Sequence, residues 1–158
     1  MFSGKKDIFS QERLDSLWRF ACSILMDSEE AKDVVQDVML KAWARPFPIV
    51  NPEAYLIRGV RNACVDRLRL RKEFTEDIPE APEENLLEQM SIKETVRYAI
   101  GRLPDNQRMV VHLKEIEGYS TQEIAQMMGL QENHIRVLLS RGRQAMRAIL
   151  EKEIGYEI

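Results

Sequence analysis

The stretch Ser120-Thr121-Gln122-Glu123-Ile124-Ala125-Gln126-Met127-Met128-Gly129-Leu130 decides how this chain is read. Ser120 and Glu123 have the spacing of a capping box, in which each side chain satisfies the other's free backbone N–H at a helix start. Ala125 is small where two helices cross closely. Gly129 stands where the turn needs a positive φ, which glycine adopts without strain. Met128, Leu130, Ile135 and Leu138 supply the apolar anchors on either side. Together these offsets predict a helix-turn-helix counted from Thr121. Its second helix is expected from Glu132 to about Glu151.

That second helix divides into two faces. Ile135, Leu138, Leu139, Met146 and Ile149 face a core, while Glu132, Asn133, Arg136, Ser140, Arg143 and Arg147 form the polar face. In a helix-turn-helix the first residues of this helix meet base edges in the major groove, and later bases reach phosphates. Asn133 has the chemistry to pair with adenine and Arg136 with guanine. His134 is read as a polar edge residue and not as a metal ligand, because no partner is spaced for it. Two supporting helices are expected upstream, over 92–103 and 105–117, separated by Pro104 with Asp105 as cap.

The rest of the chain reads as a second helical lobe. Leu14, Leu17, Trp18, Ala21 and Leu25 repeat at three and four residues and make one apolar stripe. Asp27 or Ser28 is placed to cap the next helix, where Ala31, Val34, Val35, Val38, Met39, Ala42 and Trp43 recur at helical spacing. Trp43 is expected in this lobe's own core. Pro46 and Pro48 end that helix, and Asn51-Pro52 looks like an N-cap followed by proline at the first helical position. A third helix is expected from Pro52 to about Arg71. No alternating strand pattern and no Asn-Gly or Asp-Gly turn occurs, so the fold class is all-α.

Charge is segregated along the 158 residues. Residues 1–72 hold 13 basic and 10 acidic side chains, residues 73–91 hold seven acids and no base, and residues 92–158 hold 10 basic and 9 acidic, giving a net charge of −3. Like charges repel and Pro79 and Pro82 disfavour helix, so 73–91 is expected to be an extended acidic linker. The organisation is therefore a three-helix-type lobe over 8–72, a linker over 73–91 and a helix-turn-helix lobe over 92–154. In the third helix, Arg58, Arg61, Asn62, Arg69 and Lys72 fall within about 100° of arc, opposite Leu56, Ile57, Val60, Ala63, Cys64 and Leu68. A basic stripe on one helix face is the electrostatic footprint of phosphate binding. Gly59, inside this helix, costs roughly 1 kcal/mol relative to alanine and marks a close helix approach.

Composition removes whole classes of function. Two cysteines and two histidines, far apart, exclude a Cys/His zinc cluster. Cys22 and Cys64 are expected as buried free thiols in a reducing cytosol. No apolar run approaches the roughly 20 residues of a membrane span, and the lysines near the start have no hydrophobic stretch behind them, so no secretion signal is expected. No clustered His/Asp/Glu set and no phosphate-cradling glycine loop occurs, so an enzyme is not expected, nor a cofactor. From the residues alone, an autonomous regulator binding duplex DNA and a pure protein adaptor both stay open.

Three stretches carry a resemblance. Glu30-Ala31-Lys32-Asp33-Val34-Val35-Gln36-Asp37-Val38-Met39-Leu40-Lys41-Ala42-Trp43 resembles the polymerase-docking helix of the extracytoplasmic-function (ECF) sigma factors, the compact class of bacterial RNA polymerase specificity subunit. Tyr55 through Arg69 resembles their promoter-melting, minus-ten-reading helix. Leu103-Pro104-Asp105-Asn106-Gln107-Arg108 through Ser120, then Glu123-Ile124-Ala125 and Val137-Leu138-Leu139-Ser140-Arg141-Gly142-Arg143, resembles their fourth region, which reads the minus-thirty-five element. Met39 replaces a usual phenylalanine, Gly59 a usual aliphatic residue, and Gln131-Glu132-Asn133-His134 a commoner small-residue start.

The resemblance implies a division of labour. Asp33, Gln36, Asp37 and Leu40 would bind core RNA polymerase. Asn51, Tyr55, Arg58, Arg61, Asn62 and Arg69 would hold the melted minus-ten strand, with Phe47 and Tyr55 able to stack on a base. Glu132, Asn133, His134, Arg136, Ser140 and Arg143 would read the minus-thirty-five duplex. It also implies that the acidic linker enters the polymerase's nucleic-acid channels, that an anti-sigma factor is a further partner, and that the chain works in the cytoplasm without inserting into a membrane.

Overall fold

The computed structural model describes residues 8–46, 48–74 and 90–154. The acidic linker expected over 73–91 lies almost wholly outside the described residues, as does Phe47. All regular structure among the described residues is helical: α1 (Gln11–Leu25), α2 (Ser28–Trp43), α3 (Pro52–Phe74), α4 (Ile92–Gly101), α5 (Asp105–Val111), α6 (Thr121–Met128) and α7 (Glu132–Ile149). α5 and α7 each continue into a π-helical turn, His112–Ile116 and Leu150–Ile154. The helix expected over 105–117 thus changes hydrogen-bonding pattern at His112. α4 stops earlier than expected, at Gly101, and α3 runs past Arg71 to Phe74.

Local signals act as their chemistry requires. Asp27, not Ser28, caps α2, its Oδ1 accepting from the backbone N–H groups of Glu29 and Glu30, each at 3.0 Å. Asn51 caps α3, accepting from Ala54 N at 3.2 Å. Both halves of the Ser120/Glu123 capping box form, at 3.1 and 2.9 Å, and a second box, Ser91 with Glu94, opens α4. Gly129 ends α6 at φ 68°, ψ 33°, the left-handed conformation the turn demands.

α1, α2 and α3 pack around Leu17, Phe20, Ile24, Val34, Val38, Leu56, Ile57, Val60 and Cys64. The close approach expected at Gly59 is real: a Cβ there would lie 3.1 Å from Val38 Cγ1. α4 to α7 pack around Ile100, Met109, Val110, Leu113, Ile124, Met127 and Ile135. The two sets join in one continuous core, because α1 lies against α5 and α3 lies against α6.

Two aromatic placements differ from expectation. Trp43 is not core; it is 59% exposed and edge-on to Phe9, with ring centroids 5.1 Å apart. Ala31, Val35, Val38 and Ala42 define the buried arc of α2, and Trp43 stands roughly 100° from its centre at the helix end. Trp18 is also exposed, donating from Nε1 to Ser28 O at 3.1 Å. The buried face of α1 is turned instead toward Phe20 and Ile24, because α1 is covered by the second lobe as well as the first. Phe20 meets the His112 ring at 5.8 Å. Cys64 is fully buried and Cys22 half-buried; neither is in a disulfide.

Candidate nucleic-acid interface

On α7, Ile135, Leu138 and Leu139 are buried, which aims the opposite face outward. Asn133, His134, Arg136, Ser140 and Arg143 are exposed and Glu132 is half-buried. Arg136 is held by its own helix: Nη2 donates to Glu132 Oε1 at 2.6 Å and Nη1 to Asn133 Oδ1 at 3.1 Å. Arg143 is held by Glu115 of the π turn, Nε and Nη2 donating to Oε1 at 3.0 and 2.5 Å. Lys114, Thr121, Arg136, Ser140, Arg143 and Arg147 line an open groove of about 360 Å³. Cations and hydroxyls in such a groove suit a phosphate backbone beside base edges. Lys114 and Thr121 are not among the DNA contacts expected from sequence, since they precede the recognition helix. The π turn brings Lys114 and Glu115 alongside it.

α3 sorts its bases into two groups. Arg67 and Arg71 face α2: Arg67 lies 3.7 Å from Glu30 and 3.8 Å from Asp37, while Arg71 pairs with Glu30 and donates to Leu25 O at 2.8 Å. Arg69 and Lys72 project into solvent, with side chains 75% and 77% exposed. Asn62 is exposed and accepts from Arg61 Nη1 at 3.0 Å. Tyr55 is half-buried under the guanidinium of Arg45, 4.8 Å from its ring centroid. Arg58 is turned toward the second lobe, donating to the carbonyls of Gln126 and Met127, and Asn51 Nδ2 donates to Gln126 Oε1 at 3.3 Å. Asn51, Tyr55, Arg58, Arg61, Asn62 and Arg69 are therefore strung along α3 from its cap onward, with Asn51 and Arg58 hydrogen-bonded to α6 and still exposed.

On α2, Asp33, Gln36, Asp37 and Leu40 are all exposed, Leu40 at 67%. Their spacing gathers them within about 100° of arc, opposite the buried valines. Beside them Phe9, Leu14, Met39, Leu40 and Trp43 line an apolar groove of about 390 Å³. An acidic row flanking exposed apolar side chains is a surface suited to a basic protein partner.

A fourth cluster, not foreseen from sequence, lies between the lobes. Glu117 has a side chain only 4% exposed. It accepts from Ser16 Oγ at 2.8 Å and from Arg19 at 3.1 and 2.8 Å, and His112 Nε2 lies 2.9 Å away. Burial pushes this carboxyl upward, but hydrogen bonds from His112, Arg19 and Ser16 outweigh it and hold it at about 2. The same pairing raises Arg19, chiefly through its hydrogen bond to Glu117. The signal was a Glu-Gly pair closing a helix, which by spacing alone looks like an ordinary terminus.

Comparison with known proteins covers both lobes. Residues 10–74 match the family model Sigma-70 region 2, and residues 93–146 match Sigma-70, region 4. The ECF RNA polymerase sigma factor SigM of Bacillus subtilis (strain 168) is 24% identical over 96% of this chain and 98% of its own. A second ECF RNA polymerase sigma factor SigM, from Mycobacterium tuberculosis (strain ATCC 25618 / H37Rv), is 34% identical over 85% of this chain and 71% of its own. Among solved structures, the sigma factor RpoE in complex with the anti-sigma factor NepR from Bartonella quintana matches with a TM-score of 0.71 and 28% identity, over 94% of this chain and 99% of that one. No helix among the described residues is long and apolar enough to cross a membrane. Two sigma-70 regions in the family's order, on a fold that follows a sigma factor from end to end, make this chain a member of the ECF RNA polymerase sigma factor family.

Proposed function

We propose that the chain divides promoter recognition among three separate faces and acts by binding, without catalysing a reaction. Asp33, Gln36, Asp37 and Leu40 on α2 dock onto the basic clamp of core RNA polymerase. Asn51, Tyr55, Arg58, Arg61, Asn62 and Arg69 on α3 hold the non-template strand of the minus-ten element. Glu132, Asn133, His134, Arg136, Ser140 and Arg143 on α7 read the minus-thirty-five duplex. Residues 8–72 and 92–154 are the two functional domains, and the acidic stretch 73–91 links them inside the polymerase channels. The chain works in the cytoplasm, restrained by an anti-sigma factor that covers these faces.

The observation that carries this reading is the sorting of charge on α3. Arg67 and Arg71 are engaged by carboxylates and a carbonyl of the same lobe, while Arg69 and Lys72 stay about three-quarters exposed, each with only a 3.9 Å approach to one carboxylate, Asp66 and Asp105. Melting a promoter needs bases drawn out of the stack, at a few kcal/mol each, returned through stacking and phosphate contacts. Exposed bases toward the end of α3 and a half-buried Tyr55 in its first turn supply phosphate contacts and a stacking ring on the same helix. The test is in vitro transcription with purified core polymerase and a random promoter library. Enrichment of a bipartite motif supports the reading. Failure to bind core, or binding without initiation, overturns it.

A further inference from the structure

We infer that the cavity of about 330 Å³ bounded by α1, α4 and the His112–Ile116 π turn is a binding site for a small aromatic carboxylate. None of its lining residues belongs to the three faces given promoter and polymerase roles above. Its volume is at the low end of the roughly 300–1,000 Å³ of small-ligand sites. Its wall is apolar and incompletely covered: Trp18, Met26 and Ile116, which line it, stay 41%, 61% and 44% exposed. Large apolar side chains left open around one hollow mark a surface that binds something. The wall is also held in place. Trp18 Nε1 donates to Ser28 O at 3.1 Å, which fixes the indole and leaves its ring asking no hydrogen bond of a ligand. Met26 closes α1 in the left-handed region, at φ 57°, ψ 27°, a costly conformation for a residue with a Cβ. Gly101 makes room for its side chain, since a Cβ there would lie 2.8 Å from Met26 Cε.

The charge of the ligand follows by elimination. Besides the Cys22 thiol, the ionisable side chains lining the cavity are Arg19, Asp27, Arg97 and His112. Arg19 and His112 are both engaged by Glu117. Asp27 Oδ1 accepts from two backbone N–H groups at the start of α2. Arg97, exposed on α4, has no hydrogen-bond or ion-pair partner among the described residues. Its charge reaches the Cys22 thiol, where burial raises the pKa and Arg97 opposes that rise. A guanidinium with its donors unspent at the edge of an apolar cavity suits a carboxylate, which accepts two parallel N–H bonds. Asp27 on the same cavity disfavours a doubly charged anion, so one carboxylate fits better than a phosphate. The ring follows from the wall: Trp18 offers an aromatic surface, and the sulfurs of Cys22 and Met26 make favourable contacts with ring edges. Such a ligand touches helices of both lobes and binds only the folded chain.

The test uses the full chain and phenylpropanoate, with phenylpropanamide as its neutral counterpart and hexanoate as its ringless one. Binding is read by protection of Cys22 from iodoacetamide, located by mass spectrometry, and by the rise in melting temperature. At about ten times its Kd, phenylpropanoate is expected to slow Cys22 alkylation about tenfold and to raise the melting temperature. The amide and hexanoate are each expected to bind about three- to fivefold more weakly. Arg97→Gln is expected to weaken phenylpropanoate by the same factor and to leave the amide unchanged. Ile116→Ala is expected to weaken acid and amide alike. Both side chains are exposed, so circular dichroism should show the parent's helix content in each variant. Absence of both protection and thermal shift overturns the inference. So does equal affinity for the acid and either counterpart, or an affinity for the acid that Arg97→Gln does not move.

Discussion

A Cβ on Gly142 of α7 would lie 2.6 Å from Cγ2 of Val111, a fully buried side chain of α5. Valine is stiff at χ1 and has no long arm to swing aside, so the contact cannot relax cheaply. Gly142→Ala is expected to destabilise the C-terminal lobe by about 1–3 kcal/mol, despite alanine's better helix propensity. Val111→Ala in the same chain should recover part of that loss. Urea unfolding of the single and double variants measures both.

Asp37 projects from α2 with a side chain 64% exposed and only a 3.8 Å approach to Arg67. Little of the fold depends on so exposed a pair. Asp37→Arg is therefore expected to keep the melting temperature nearly unchanged while abolishing binding to core RNA polymerase. Undiminished capture of core in a pull-down would refute the docking role.

Arg136 is already oriented by Glu132 and Asn133, as a bidentate reader of guanine must be. Arg136→Ala is expected to cost about 1–3 kcal/mol on the preferred duplex and to relax preference at one or two base pairs. Arg147 lines the same groove farther along α7. Arg147→Ala should weaken all sequences alike and lower the salt slope by about one. Selection from a randomised duplex pool separates the two outcomes.

Glu117 is held at about 2, below its ordinary value of 4.5. A carboxyl depressed in the folded state contributes stability that is fully present above its unfolded value and is lost as pH falls through the folded one. The contribution of Glu117 to the lobe contact is thus expected to weaken progressively as pH falls from about 4.5 toward 2. Glu117→Gln should flatten the dependence in that window. Thermal unfolding followed between those limits reads the difference.

Burial pushes the Cys64 thiol up to about 12, and raises that of the half-buried Cys22 by the same cause. The thiolate is the reactive species. Iodoacetamide at pH 8 is expected to leave Cys64 unmodified in the folded chain, to label Cys22 slowly, and to label both in denaturant. Mass spectrometry locates the adducts.

What the sequence made legible was local chemistry. Ser120, Glu123 and Gly129 act within a few residues of themselves, so their offsets announce the turn. The stripe on α3 is a matter of helical phase, and Arg69 and Lys72 fall in solvent as that phase requires. Arg58 belongs to the same stripe yet spends its donors on α6, a contact no periodicity encodes because its partner lies 68 positions away. Phe20 and Ile24 were missed, and Trp18 overvalued, for the same reason: a helix that meets two neighbouring bodies has a wider buried arc than one amphipathic stripe implies. Trp43 shows the converse, an apolar residue whose spacing fits a core but whose position at the edge and end of α2 leaves it uncovered.

Ser16 and Glu117 are 101 positions apart. A ribosome adding roughly 5–20 residues per second delivers the second of them on the order of 5–20 seconds after the first. For that interval Ser16 and Arg19 lack the carboxylate that binds them. The contact between the lobes can therefore form only after most of the protein has been translated.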